Sequence, residues 1–87
     1  MVYGENHPNV ASSFNNIGFV YANQGNYSKA LEYYEKALNM RLSIYGEQHP
    51  DVADSYENLY DMYTKLGDTA KAEEFRLKVE EIRAKLQ

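Results

Sequence analysis

Tyr3-Gly4-Glu5-Asn6-His7-Pro8-Asn9-Val10-Ala11 returns as Tyr45-Gly46-Glu47-Gln48-His49-Pro50-Asp51-Val52-Ala53, 42 residues later. Laying residues 3–44 on residues 45–86 pairs 16 identical residues, where average composition gives about two or three. One structural unit is therefore used twice. A tandem repeat folds as a stack, each unit resting on its neighbour, and it offers partners an extended surface rather than an enclosed catalytic pocket.

Working outward from the repeated segment, the only prolines, Pro8 and Pro50, occupy matched places and each opens an apolar-periodic stretch. Proline suits the first turn of a helix, where its missing N–H has no partner to lose. The first stretch runs Val10, Phe14, Ile17, Tyr21 and the second Val52, Tyr56, Leu59, Tyr63. Steps of three and four mark one face of a helix, so each of these stripes is expected to be buried. Each stretch stops at a glycine followed by a capping residue, Gly25-Asn26 and Gly67-Asp68. The glycine ends one helix and the Asn or Asp starts the next. The expected helices span 8–24, 27–44, 50–66 and 69–86, each ~25 Å long. Turns this short allow only antiparallel hairpins.

Phe14-x2-Ile17-Gly18-x2-Tyr21, followed by Ala30-x3-Tyr34, resembles the tetratricopeptide repeat signature with Phe14 in the tryptophan place. The second copy reads Tyr56-x2-Leu59-Tyr60-x2-Tyr63 and then Ala72-x3-Arg76. The longer period and the Gly-Glu-x-His-Pro-x-Val-Ala junction are similar to the kinesin-light-chain subclass. The resemblance implies an all-α fold, an α-solenoid of two tandem helical hairpins in a right-handed superhelical stack. Repeat 1 then covers 3–44 and repeat 2 covers 45–86, with the last helix as a C-terminal cap. It also implies a role in protein–protein interaction. Two places depart from the signature: Tyr60 stands where Gly18 supplies a small residue, and Arg76 where Tyr34 supplies an aromatic.

The two second helices differ in how many apolar faces they carry. Ala30, Tyr33, Ala37, Met40 and Ile44 are matched by Ala72, Phe75, Val79, Ile82 and Leu86. Helix 27–44 has another stripe, Leu31, Tyr34, Leu38 and Leu42, whose places in helix 69–86 hold Glu73, Arg76, Glu80 and Ala84. A helix apolar on two faces is buried on two sides, and one with a single stripe is half solvated. Helix 27–44 is therefore expected between neighbours and helix 69–86 on the outside, with Glu74–Lys78 and Glu81–Lys85 as pairs along its wet face. At the other end, Met1-Val2-Tyr3 matches Ser43-Ile44-Tyr45. This leads us to expect a preceding repeat, the chain being a C-terminal excerpt of a longer array or an engineered piece. Helix 8–24 would then lack a cover, and a homo-oligomer formed through it is expected.

Composition narrows the function. The 87 residues carry a net charge of −4, with three acids and three bases in 1–44 against ten and six in 45–87. An acidic chain is a poor partner for nucleic acid or for an anionic membrane surface. There is no cysteine, and no apolar run nears the ~18 residues of a membrane span. The start lacks the basic and apolar regions of a secretion signal. A cytoplasmic protein is expected, with no nucleic acid or membrane among its partners.

His7 and His49 beside Glu5 and Glu47 raise the question of metal, since imidazole is the commonest ligand. They stand one repeat apart with no second histidine at i+4, so they are expected to pack against or cap the next helix, and no metal site is expected. No nucleophile–base set, glycine-rich phosphate loop or zinc motif occurs, so neither an enzyme nor a cofactor is expected. Most of the nine tyrosines and three phenylalanines fall on packing stripes, with Tyr3 and Tyr45 plugging the repeat junctions. Phe19 lies off the stripe.

The remaining face of the first helices is the candidate site: Ser12, Asn15, Asn16, Phe19, Ala22 and Asn23, then Asp54, Glu57, Asn58, Asp61, Thr64 and Lys65. The resemblance implies that these helices line a concave groove holding an extended peptide. It also implies that Asn16 and Asn58, at the same place in both copies, clamp its backbone, since an amide offers both donor and acceptor. Asp54, Glu57 and Asp61 are opposed only by Lys65 on that face, so a neutral or basic peptide is expected. The alternative is a stacking and capping segment that self-associates and holds no ligand.

Overall fold

The computed structural model describes His7–Gln87. Tyr3 and the match of Met1-Val2-Tyr3 to a helix tail lie outside the described residues. Four helices follow one another, with no strand among the described residues: α1 (Pro8–Asn23), α2 (Tyr27–Tyr45), α3 (Pro50–Leu66) and α4 (Thr69–Leu86).

The same local chemistry starts and stops them in each copy. His7 Nδ1 accepts from the Asn9 N–H at 3.1 Å and His49 Nδ1 from the Asp51 N–H at 3.0 Å. The histidines are thus N-caps, each satisfying one of the orphan donors of a helix start. His49 also lies flat on the Tyr45 ring, 3.8 Å between centroids. At the other end, Gly25 and Gly67 adopt φ of 80° and 84°, which only glycine reaches without strain. The next N–H, of Asn26 or Asp68, then turns back to the Tyr21 or Tyr63 carbonyl at 2.9 Å in both copies, closing the helix in a Schellman turn. Asn26 and Asp68 then cap α2 and α4 by accepting from the Lys29 and Lys71 N–H groups.

Packing repeats as well. Phe14, Tyr33 and Tyr21 stack in the first hairpin, and Tyr56, Phe75 and Tyr63 at the same places in the second. Each stack carries a lysine over a ring, Lys36 or Lys78. Such ring pairs contribute about 0.5–1.5 kcal/mol beyond the area they bury. Lys78 therefore lies over Tyr56 instead of making the expected pair with Glu74.

α2 packs on both α1 and α3, and α4 on α3. Tyr34 and Leu38 of α2 are buried with Val52, Ala53, Leu59 and Met62 of α3 in one core. On α4 the matching places face water: Glu73 and Glu80 are exposed and clasp Arg76. Val79 and Ile82 are buried, but Leu86, expected on the same stripe, is exposed in the last turn.

Gly18 explains both departures from the repeat signature. A Cβ there would sit 2.8 Å from the Tyr34 ring and 3.2 Å from the Ala30 carbonyl, so the small residue exists to admit the large one. In repeat 2 the large residue is Tyr60, and the opposing place holds the outward-lying Arg76 instead of a buried ring.

One expectation is corrected. Ile17, assigned to a buried stripe, is exposed, whereas Leu59 at the same place in α3 is buried. The pattern is the same in both copies; the difference is that α3 is packed between α2 and α4, whereas α1 packs on α2 and no described element covers its outer face.

Candidate peptide-binding cleft

α1 and α3 belong to successive hairpins and come together along one edge of the stack. Asn58 Nδ2 donates to Asn15 Oδ1 across them at 2.8 Å, a bond between residues 43 apart. Beside this bridge lies a cleft of about 330 Å³. Its walls are Phe19, Ala22 and Asn23 of α1 and Asn58, Asp61, Met62 and Lys65 of α3, and Tyr27 and Tyr34 of α2 complete it.

The structure brings six of the expected site residues to this cleft: Phe19, Ala22, Asn23, Asn58, Asp61 and Lys65. Asn15 joins through its bridge to Asn58. Asn16 and Ser12 are exposed on α1 and do not line it, so the amide that meets Asn58 is Asn15 and not its sequence equivalent, Asn16. Asp54 and Glu57 stand away from the cleft, where Arg83 of α4 donates to Glu57 Oε1 at 2.9 Å and to Asp54 Oδ1 at 3.3 Å. This corrects the expected electrostatics: a second cation, contributed by the outer helix, opposes the acidic face of α3. Tyr27, Tyr34 and Met62 were missed as site residues: Tyr34 was assigned to a packing stripe, and all three pack in or against the core. A buried tyrosine can still present one ring edge to a cleft, and the sequence carries no signal for that.

Phe19 is 58% exposed, an aromatic ring that the fold itself does not need. Asp61 lines the cleft. Partial burial, and then the nearby Glu57 carboxylate, push its carboxyl above the usual range against the pull of Lys65. Burial, with a smaller contribution from Asp61, likewise pushes the Tyr34 hydroxyl upward. The anionic form of Asp61 is thus disfavoured in the folded chain and would gain from an added cation.

The shift has a consequence for stability. A carboxyl with a raised folded pKa keeps its proton longer in the folded state than in the unfolded one. Its contribution is intact below the ordinary value of about 4 and is lost as pH rises through the raised folded value. Asp61→Asn is therefore expected to melt above the parent chain at neutral pH, the gap closing below about pH 4. Thermal melts across that range check it, and parallel curves at every pH would refute it.

Among the described residues, no three His, Cys, Asp or Glu side chains converge as a metal site would require, and no helix is long and apolar enough to cross a membrane. The family model for the tetratricopeptide repeat matches residues 9–85. A search of curated proteins gives no match to the chain.

Proposed function

The chain belongs to the tetratricopeptide repeat family, and on that basis we propose that it takes an extended, neutral or basic peptide into the cleft between α1 and α3. Repeats of this family mediate protein–protein interactions and are not catalysts. The observation that carries the reading is the cleft itself, with an exposed aromatic, an amide pair and an electrostatically strained carboxyl along its length.

Each feature matches part of a peptide. In the Asn58–Asn15 bridge, one amide N–H and one amide oxygen face each other. Asn58 Oδ1 and Asn15 Nδ2 remain, an acceptor and a donor suited to the N–H and C=O of one peptide unit. Phe19 supplies an apolar ring for a side chain. Asp61, beside the Tyr34 ring, suits a lysine or arginine, which gains both a carboxylate and an aromatic face. Two repeats offer a small contact area, so binding is expected to be weak.

The 42-residue period and its junction support placing both repeats in the kinesin-light-chain-like subclass. The polar outer side of α4 supports its reading as a terminal cap.

A panel of extended peptides, neutral and lysine- or arginine-bearing, tests the function by fluorescence anisotropy. Phe19→Ala is expected to weaken binding about tenfold while leaving the melting temperature nearly unchanged, because the ring is exposed. Asp61→Asn is expected to weaken the basic peptides and spare the neutral ones. Peptides that bind the Phe19→Ala chain as well as the parent, or a panel that does not bind at all, would end the reading.

A further inference from the structure

We infer, resting on the peptide-binding reading above, that the cleft selects a peptide whose basic residue stands alone, with acidic or neutral side chains two places to either side. Arg83 of α4 is the residue that sets this selectivity. It touches neither the cleft wall nor the basic residue and acts through the acids of α3.

The observation behind this is the order of charges along α3. Asp54, Glu57, Asp61 and Lys65 follow one another at steps of three, four and four, which puts them on one face of the helix. Arg83 takes the first two: its Nη2 donates to Glu57 Oε1 at 2.9 Å and to Asp54 Oδ1 at 3.3 Å. Asp61 has no ion-pair partner among the described residues. It lines the cleft, as does Lys65 one turn further on. Asp61 is therefore the open acid of this face, bracketed by cations: Arg83 towards the start of α3 and Lys65 towards its end. The nearest neighbours act on Asp61 in opposite senses, Glu57 against its anionic form and Lys65 in favour of it.

An extended peptide laid along the cleft beside α3 has the matching spacing. Four residues of a helix rise ~6 Å, and every second residue of an extended chain lies on the same side, ~6.5–7 Å on. A lysine or arginine on Asp61 therefore brings the residues two places before and after it towards Arg83 and Lys65, whichever way the peptide runs. A basic residue at either place meets a like charge. Glu57 and Asp54, which could otherwise receive it, are already held by Arg83. An acidic residue at the same place meets a cation it can pair with. Specificity of this kind comes from repelling the wrong sequence as well as from attracting the right one. Without Arg83, Asp54, Glu57 and Asp61 become one continuous acidic strip, and the preference turns towards peptides with several basic residues.

The test titrates the full chain with three extended peptides of equal length, read by fluorescence anisotropy. The first has a single lysine among neutral residues. The second adds glutamates two places to either side of that lysine, and the third has lysines there instead. The parent chain is expected to bind the glutamate-flanked peptide most tightly and the three-lysine peptide no better than the single-lysine one. Arg83→Ala is expected to tighten the three-lysine peptide up to about fivefold, the scale of one exposed ion pair, and to weaken the glutamate-flanked one. Lys85→Ala removes the same charge from α4, but Lys85 pairs with Glu81 on its own helix, so this variant is expected to keep the parent's ranking. A parent chain that prefers three lysines, or Arg83→Ala and Lys85→Ala chains that rank the peptides alike, would overturn the selectivity. In either case a single-lysine peptide that Asp61→Asn still weakens keeps the cleft itself as the binding site. Peptides that bind the Asp61→Asn chain as well as the parent, or that do not bind at all, would remove both.

Discussion

Leu59→Ala is expected to lower the unfolding free energy by about 2–5 kcal/mol, and Ile17→Ala, the same place one copy earlier, by less than about 1 kcal/mol. The side chains are alike in size, and each follows an asparagine in the same helical register. Only their cover differs. Leu59 is fully enclosed in the core with Tyr34 and Leu38 of α2, so truncation removes apolar transfer energy and leaves a cavity. Ile17 already meets water, and alanine even improves local helix propensity. A chain of this size has a total stability of about 4–13 kcal/mol, so the first change removes a large share of it. Urea unfolding of the two variants measures the difference; equal losses would mean that α1 and α3 are equally enclosed.

Arg41→Ala and Arg83→Ala form the second contrast. These residues are also one period apart and identical in both copies. Arg41 is buried and bonded to two oxygens of α3. Its loss is expected to cost about 1.5–3 kcal/mol, the range for hydrogen bonds to a charged group, and to open space where its stem packed. Arg83 lies on the surface between Asp54 and Glu57, where exposed ion pairs contribute at most about 1 kcal/mol. Arg41→Met separates packing from charge, because an apolar stem of similar length keeps the first and spares the cost of burying a cation. It is expected to unfold between the parent chain and Arg41→Ala in the same urea series.

How much of this could be read in the sequence follows from the range of each interaction. The four antiparallel helices and their pairing into hairpins were legible because their signals are local. Pro8 and Pro50 open helices, Gly25-Asn26 and Gly67-Asp68 turn them, and the second stripe on α2 announced a helix covered on both sides. The capping role of His49 was one of two readings, and the ring nitrogen held by the Asp51 N–H selects it. The exposure of Ile17 was not legible, because the same pattern serves a covered and an uncovered helix and the cover comes from a different copy. Neither was the Asn15–Asn58 bridge. Repeat equivalence pointed to Asn16, but neighbouring helices are staggered, and the contact falls one residue off the period. Arg83 reaches Asp54 and Glu57 from 29 and 26 residues away, beyond any local rule. Arg41 did leave a signal: an arginine repeated at the same place, between Leu38 and Leu42 on an apolar stripe, is a charge with a buried task. The cleft was half legible. Its exposed aromatic stood out as the one ring off the packing stripes, while its tyrosines were hidden among the core residues.

Because the chain has no cysteine, a single introduced thiol reports its own accessibility without background. Ile17→Cys and Leu59→Cys, each treated with a thiol reagent under native conditions, compare the bare and the covered copy of one surface. Ile17→Cys is expected to react nearly as fast as a free thiol, and Leu59→Cys slower by orders of magnitude, on the order of the opening equilibrium of the fold. Equal rates at the two positions would contradict a stack in which α2 covers α3 while the outer face of α1 stands open.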